Sequence, residues 1–159
     1  MTDGRKRIVH VVLDERSVVR RRAEVEHERA VAIYDLIEEN EFELLEFPDS
    51  GPFILRLGIE ENRLNLDVQS EAGDPLSRVA LPLTGFRGII KDYFMVCESY
   101  YTAIKKATPS QIEAFDMGRR SLHNEGSDLL RERLGSKVRM DHDTARRLFT
   151  LLCVLHIRG

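Results

Sequence analysis

The stretch Phe53-Ile54-Leu55-Arg56-Leu57-Gly58-Ile59-Glu60-Glu61-Asn62-Arg63-Leu64-Asn65-Leu66-Asp67-Val68-Gln69 decides the fold. Phe53, Leu55, Leu57 and Ile59 alternate with Ile54, Arg56 and Gly58, and Leu64, Leu66 and Val68 alternate with Arg63, Asn65, Asp67 and Gln69. A period of two marks strands with one buried face. Glu61-Asn62 sits where a tight hairpin would turn, and Pro48-Asp49-Ser50-Gly51 and Ala72-Gly73-Asp74-Pro75 are turn clusters. From Phe42 onward the pattern therefore predicts four strands in an antiparallel meander ending near Leu83, with a polar face that is wet or meets a partner.

Towards the N-terminus, Arg7 to Leu13 is rich in β-branched residues on both faces and predicts a short strand covered on both sides. Ala30, Ile33, Tyr34 and Ile37 fall at i, i+3, i+4, i+7, so residues 23 to 39 should form an amphipathic helix with Asn40 near its end. Towards the C-terminus the pattern becomes helical after Gly85 and stays so. Phe86, Ile90, Tyr93, Phe94, Cys97, Tyr101 and Ile104 form a wide apolar stripe, which predicts a helix central to its domain. Thr108-Pro109-Ser110-Gln111 is a capping box with proline at the first helical position. The helix it opens runs through Ile112, Phe115 and Leu122, with Gly126 a candidate break and Gly135 a candidate C-cap. A last helix, capped by Asp141 or Asp143, is too apolar around Leu148, Leu151, Leu152 and Leu155 to lie on a surface. The expectation is one α+β domain over 1–159, strand-rich over 1–84 and helical over 85–159, with three or more helices in its C-terminal half.

Composition narrows the function classes. The chain has 159 residues, with 24 Lys+Arg against 27 Asp+Glu and a formal charge of -3. That balance argues against a general nucleic-acid coat, which needs a net basic surface to neutralise phosphates. The charge is segregated, however: Arg16 to Arg22 carries four arginines, and Glu24 to Glu46 carries nine acids against the single Arg29. Cys97 and Cys153 lie far apart in apolar segments, as core thiols of a reducing compartment do. The longest apolar run, Leu148 to Ile157, is half the roughly 20 residues that span a bilayer. Arg5 to Leu13 lacks a small-residue cleavage site. These features place the chain in the cytoplasm.

The runs Val25-Glu26-His27-Glu28-Arg29-Ala30-Val31-Ala32-Ile33-Tyr34, Ile89-Ile90-Lys91-Asp92-Tyr93-Phe94, Pro109-Ser110-Gln111-Ile112-Glu113-Ala114 and Asp143-Thr144-Ala145-Arg146-Arg147-Leu148-Phe149 resemble an uncharacterised protein family of alphaproteobacteria. The likeness covers nearly the whole chain. It implies a bacterial cytosolic setting and supplies no activity, cofactor or catalytic residue to carry over.

Among the polar constellations, Arg119-Arg120-Ser121-Leu122-His123-Asn124-Glu125-Gly126 is the densest. On a helix Arg119 and His123 share a face, as do Arg120 and Asn124. If the two long helices form an antiparallel hairpin about residues 107 to 108, Glu98 stands level with Arg119 and Asp92 near His123. Arginine forks recognise phosphate or carboxylate bidentately, and His123 and Asn124 add donors, so an anionic ligand or an RNA backbone can dock there. Alternatively His123, oriented by Glu98 or Glu125, acts as general base in a hydrolase or transferase on a phosphoester or ester. Ser121 and Ser99 are the candidate nucleophiles, and neither lies in an elbow motif.

The remaining features fit structural roles better. Asp141-His142-Asp143 and Glu26-His27-Glu28 alternate carboxylates with imidazole, but neighbours on a helix point about 100° apart and cannot easily enclose one ion. We expect no metal and no cofactor. His156 suits a helix C-terminus, and His10 a core strand. Gly85-Phe86-Arg87-Gly88 lacks the lysine of a phosphate loop. Arg16, Arg20, Arg21 and Arg22 are a second candidate anion or RNA contact. The leading expectation is a non-catalytic binding or regulatory protein recognising an anion or macromolecule through Arg119, Arg120, His123 and Asn124. The enzyme follows, and a module that self-associates into a homo-oligomer through the meander comes third. None of the three needs a membrane.

Overall fold

A computed structural model of the chain describes residues 4–14, 23–103 and 106–156. The architecture is α+β. The hairpin at the centre of the sequence is present: β3 (Phe53–Glu60) and β4 (Arg63–Ser70) pair antiparallel, with Leu57 opposite Leu66 and Leu55 opposite Val68. The turn needs two residues at positive φ, supplied by Glu61 and Asn62 at 51° and 61°. Gly73, at φ 95°, turns the chain into β5 (Pro75–Pro82), which completes the meander.

The meander has three strands, not four. β2 (Phe42–Leu44) leaves it and pairs antiparallel with β6 (Val138–Met140), a strand absent from the sequence reading, which made everything after Gly85 helical. The fourth strand of the main sheet is β1 (Ile8–Asp14), parallel to β3. Just before the two strands Gly51 approaches the backbone of Arg5 so closely that a Cβ would overlap the Arg5 carbonyl. β1 is an edge strand, and its register slips between Ile8 and His10. Consequently Ile8 and Val11 are buried while His10 is exposed, so neither the two-sided cover nor the core histidine holds.

The helices also differ in depth from their hydrophobicity. α1 (Ala23–Glu38) buries Ala32 and Leu36, one position round from the predicted stripe, and leaves Tyr34 66% exposed. Just beyond it, the buried Asn40 behaves like a strand partner. Its side chain accepts from the Ile8 N–H at 2.7 Å and donates to the carbonyls of Ile8 and Leu36. α2 (Arg87–Ala103) is peripheral rather than central. It buries Ile90, Tyr93 and Cys97, leaves Met95 58% exposed, and packs chiefly on α3 (Pro109–Leu134). The predicted hairpin of these helices is therefore formed, with Tyr93 beside His123.

α3 begins at the capping box: Gln111 N–H donates to Thr108 Oγ1, and Thr108 N–H to Gln111 Oε1 at 3.0 Å. Gly126 does not break it. The buried face of α3's second half, Gly126, Ser127, Leu130 and Leu134, lies on α4 (His142–His156), and a Cβ at Gly126 would overlap the Phe149 ring. Gly135 caps the helix in a right-handed conformation. α4 is the core helix, capped by Asp141, whose carboxylate accepts from Thr144 N–H at 3.0 Å. It buries Ala145, Leu148, Phe149 and Leu151 to Val154. Phe42, Phe53, Phe86 and Phe149, all fully buried, join the sheet and the helices in one apolar cluster. No helix among the described residues is long and apolar enough to cross a membrane.

Candidate functional site

A cleft of about 430 Å³ opens between the four helices. α4 builds its floor. Asp143, Arg146, Arg147 and Thr150 stand at i, i+3, i+4, i+7, so they share one face while Ala145, Leu148 and Phe149 are turned into the core. α3 supplies Arg119, Arg120 and His123 from the opposite side, and α1 supplies His27, Val31, Ala32 and Asp35. Tyr93 of α2 closes the end beside His123. Polar contacts tie the start of α4 to the segment just after α1. Thr144 Oγ1 accepts from Glu41 N–H at 3.0 Å, and Arg147 Nη1 donates to the Glu39 carbonyl at 3.0 Å.

Four arginines meet two aspartates here, in a chain that is acidic overall. Arg119 Nη2 lies 3.2 Å from Asp116 Oδ1, a bridge within its own helix whose partners are each about a third exposed, so it contributes little to stability. Burial works against the charge on Arg119, but Tyr93, Asp116 and Cys97 together outweigh it and hold its pKa above the ordinary value. Arg146 reaches Asp143 only at 3.9 Å, and its Nε is buried without a hydrogen-bond partner. Neither the Arg120 guanidinium nor the Asp35 carboxylate has a hydrogen bond or ion pair among the described residues.

His123 is held between aromatic rings, 5.6 Å from Tyr93 and 5.3 Å from Phe149 between centroids. Its Nε2 lies 2.7 Å from Thr150 Oγ1, and the Thr150 hydroxyl donates to the Arg146 carbonyl at 3.1 Å. With the single hydroxyl hydrogen directed there, Thr150 accepts from Nε2–H, and Nδ1 keeps a buried lone pair that has no partner. Burial, reinforced by Arg146, Arg119 and His142, pushes the His123 pKa down to about 4. The ring is neutral at pH 7. That makes it a weak base, and no carboxylate orients it: Glu98 and Glu125 are exposed, and neither is hydrogen-bonded to His123. Ser99 and Ser121 are exposed, and Thr150 takes the place beside Nε2 that a nucleophilic serine would occupy.

The match to known proteins is decisive. The model of the uncharacterised protein family UPF0262 matches residues 5–158. The chain belongs to that family. It is 61% identical to the UPF0262 protein of Paramagnetospirillum magneticum, over 98% of each chain. The Rhodospirillum rubrum UPF0262 protein is 60% identical over 96% of this chain and 93% of the relative. The Azorhizobium caulinodans UPF0262 protein is 56% identical over 96% and 95%. No solved structure matches the chain.

In this UPF0262 chain the cleft gathers three of the four residues singled out as ligand-binding: Arg119, Arg120 and His123. Asn124 is exposed and lies outside it. The stretch Arg16 to Arg22 lies outside the described residues. Sequence reasoning missed Arg146, Arg147, Thr150 and Asp35. The first three carry a signal in the sequence, since with Asp143 they make a polar i, i+3, i+4, i+7 stripe on an otherwise apolar helix. Asp35 carries none, because an acid on an acidic helix has no mark until the fold sets it opposite arginines. Asp141 caps α4, and His142 lies 3.5 Å from Asp128. Among the described residues no group of His, Cys, Asp and Glu is arranged to hold a metal ion. Arg87, at the Gly85–Gly88 turn, donates from Nε to Asn62 Oδ1.

Proposed function

We propose that the helical cleft binds a small anion and that the protein acts in the bacterial cytosol as a non-catalytic binding or regulatory protein. The observation that carries this reading is the arginine pair on α3 and the arginine pair on α4 lining one cleft, with the buried Arg146 Nε lacking a hydrogen-bond partner. A buried N–H donor without a partner costs about 1–3 kcal/mol, and an oxyanion removes that cost as it binds. The neutral His123 adds no charge and supports recognition over proton transfer.

The test is titration calorimetry of the full chain with inorganic phosphate, pyrophosphate and a dicarboxylate at low salt, where screening is weak. The double change Arg119→Ala and Arg120→Ala should weaken binding at least tenfold and shift stability by no more than about 0.5 kcal/mol, because both side chains are partly exposed. Unchanged affinity sinks the proposal. Turnover on a phosphoester or ester panel that vanishes in a folded His123→Ala variant replaces it with the hydrolase or transferase reading.

A further inference from the structure

The cleft's charges define more than an anion. Among the side chains that line it, Arg119, Arg120, Arg146 and Arg147 exceed Asp35 and Asp143 by two positive charges, a surplus that the neutral His123 leaves unchanged and that Asp116, outside the lining but paired with Arg119, partly offsets. A phosphate monoester near neutral pH carries about −1.5 to −2, which matches; a carboxylate or a phosphodiester carries one negative charge and does not. Asp35 adds a second condition. Ionised, it only accepts hydrogen bonds, and the fold sets it on the α1 wall of the cleft without a donor of its own. A ligand that reaches from the arginines to the α1 wall and displaces water from Asp35 must therefore bring a donor there. An ammonium would cancel one of the two charges the arginines ask for, whereas a hydroxyl leaves the dianion intact. Val31, Ala32 and the Tyr93 ring add apolar lining on which a carbon skeleton can lie.

We infer that the ligand is a small hydroxylated phosphate monoester, its phosphate between the α3 and α4 arginines and a hydroxyl donating to Asp35. This rests on the anion-site reading above and narrows it. Size and surroundings both count against RNA. About 430 Å³ is a small-molecule volume, and α1, which forms one wall, also carries the exposed acids Glu26 and Glu38, which repel a polyanion.

The experiment compares four probes on the full chain at low salt: inorganic phosphate, methyl phosphate, ribose 5-phosphate and a single-stranded oligoribonucleotide. Ribose 5-phosphate should bind about tenfold more tightly than methyl phosphate, the effect of one hydrogen bond to a charged group. Asp35→Ala should erase that preference while methyl phosphate binds as well as before or better, since a negative charge has left the cleft. Asp35→Asn, which retains an acceptor oxygen, should keep part of it and guards against a misfolded alanine variant. Equal affinity for the two esters overturns the inference, as does a preference that survives Asp35→Ala. Tighter binding of the oligoribonucleotide than of either ester overturns it in favour of RNA. If no probe binds, phosphate included, the anion-site reading itself fails; if phosphate binds without preference for the hydroxylated ester, only this inference does.

Discussion

The two halves of α3 are one continuous helix with opposite tasks. From Gly126 onward it lies against α4 so closely that the glycine leaves room for Phe149 and no more, and Ser127, Leu130 and Leu134 are buried with it. Before Gly126 the same helix stands away from α4, and the gap is the cleft that Arg119, Arg120 and His123 line. Close packing leaves no vacancy, because interiors fill to crystal-like density. Here the cleft persists because charged side chains, which cannot be buried alone, keep the helices from closing. His123 sits at the boundary, with its ring among aromatics and its neighbours charged.

The contrast can be broken most sharply at the tight end. Gly126→Ala should cost about 3 kcal/mol in chemical denaturation, because the new methyl must displace the fully buried Phe149 ring. A loss below about 1 kcal/mol would mean that α3 and α4 slide freely, and the contrast would dissolve. The boundary should respond to pH. The folded-state pKa of His123, about 4, lies below its ordinary 6.5, so its contribution is fully present above pH 6.5 and is lost as pH falls towards 4, where the unfolded chain takes up a proton that the folded chain refuses. The loss should be about 3 kcal/mol and absent from His123→Gln, as urea melts at pH 7 and pH 4 can measure. At the open end the effect should be smallest. Thr108→Ala removes the capping-box acceptor and should cost about 1 kcal/mol, with faster amide exchange confined to the first turns of α3.

The same division explains what could be read in advance. The β3–β4 hairpin and the start of α3 were legible because their signals are local: alternation, two residues able to take positive φ, and a cap four residues long. The pairings of β1 with β3 and of β2 with β6 were not. Phe42 meets Met140 across most of the chain, and three residues carry no period. Hydrophobicity also misplaced α2. A wide apolar stripe states that a helix wants cover, not how much the fold supplies, and α4, whose apolar residues are more sharply gathered on one face, took the centre. The arginines of α3 stood out as a cluster in sequence; those of α4 were hidden by the apolar residues between them.

By itself, then, the sequence determined the α+β class, the central hairpin, the boundaries of the long helices and the arginine and histidine content of α3. These follow from interactions between residues a few positions apart. Only the tertiary structure decided that α4 is the core, that β2 leaves the meander, and that Asp35, Arg119, Arg120, Arg146, Arg147 and His123 face one space. The reason is physical: a cleft is made by what helices distant in sequence cannot bury between them, and no single helix carries that information.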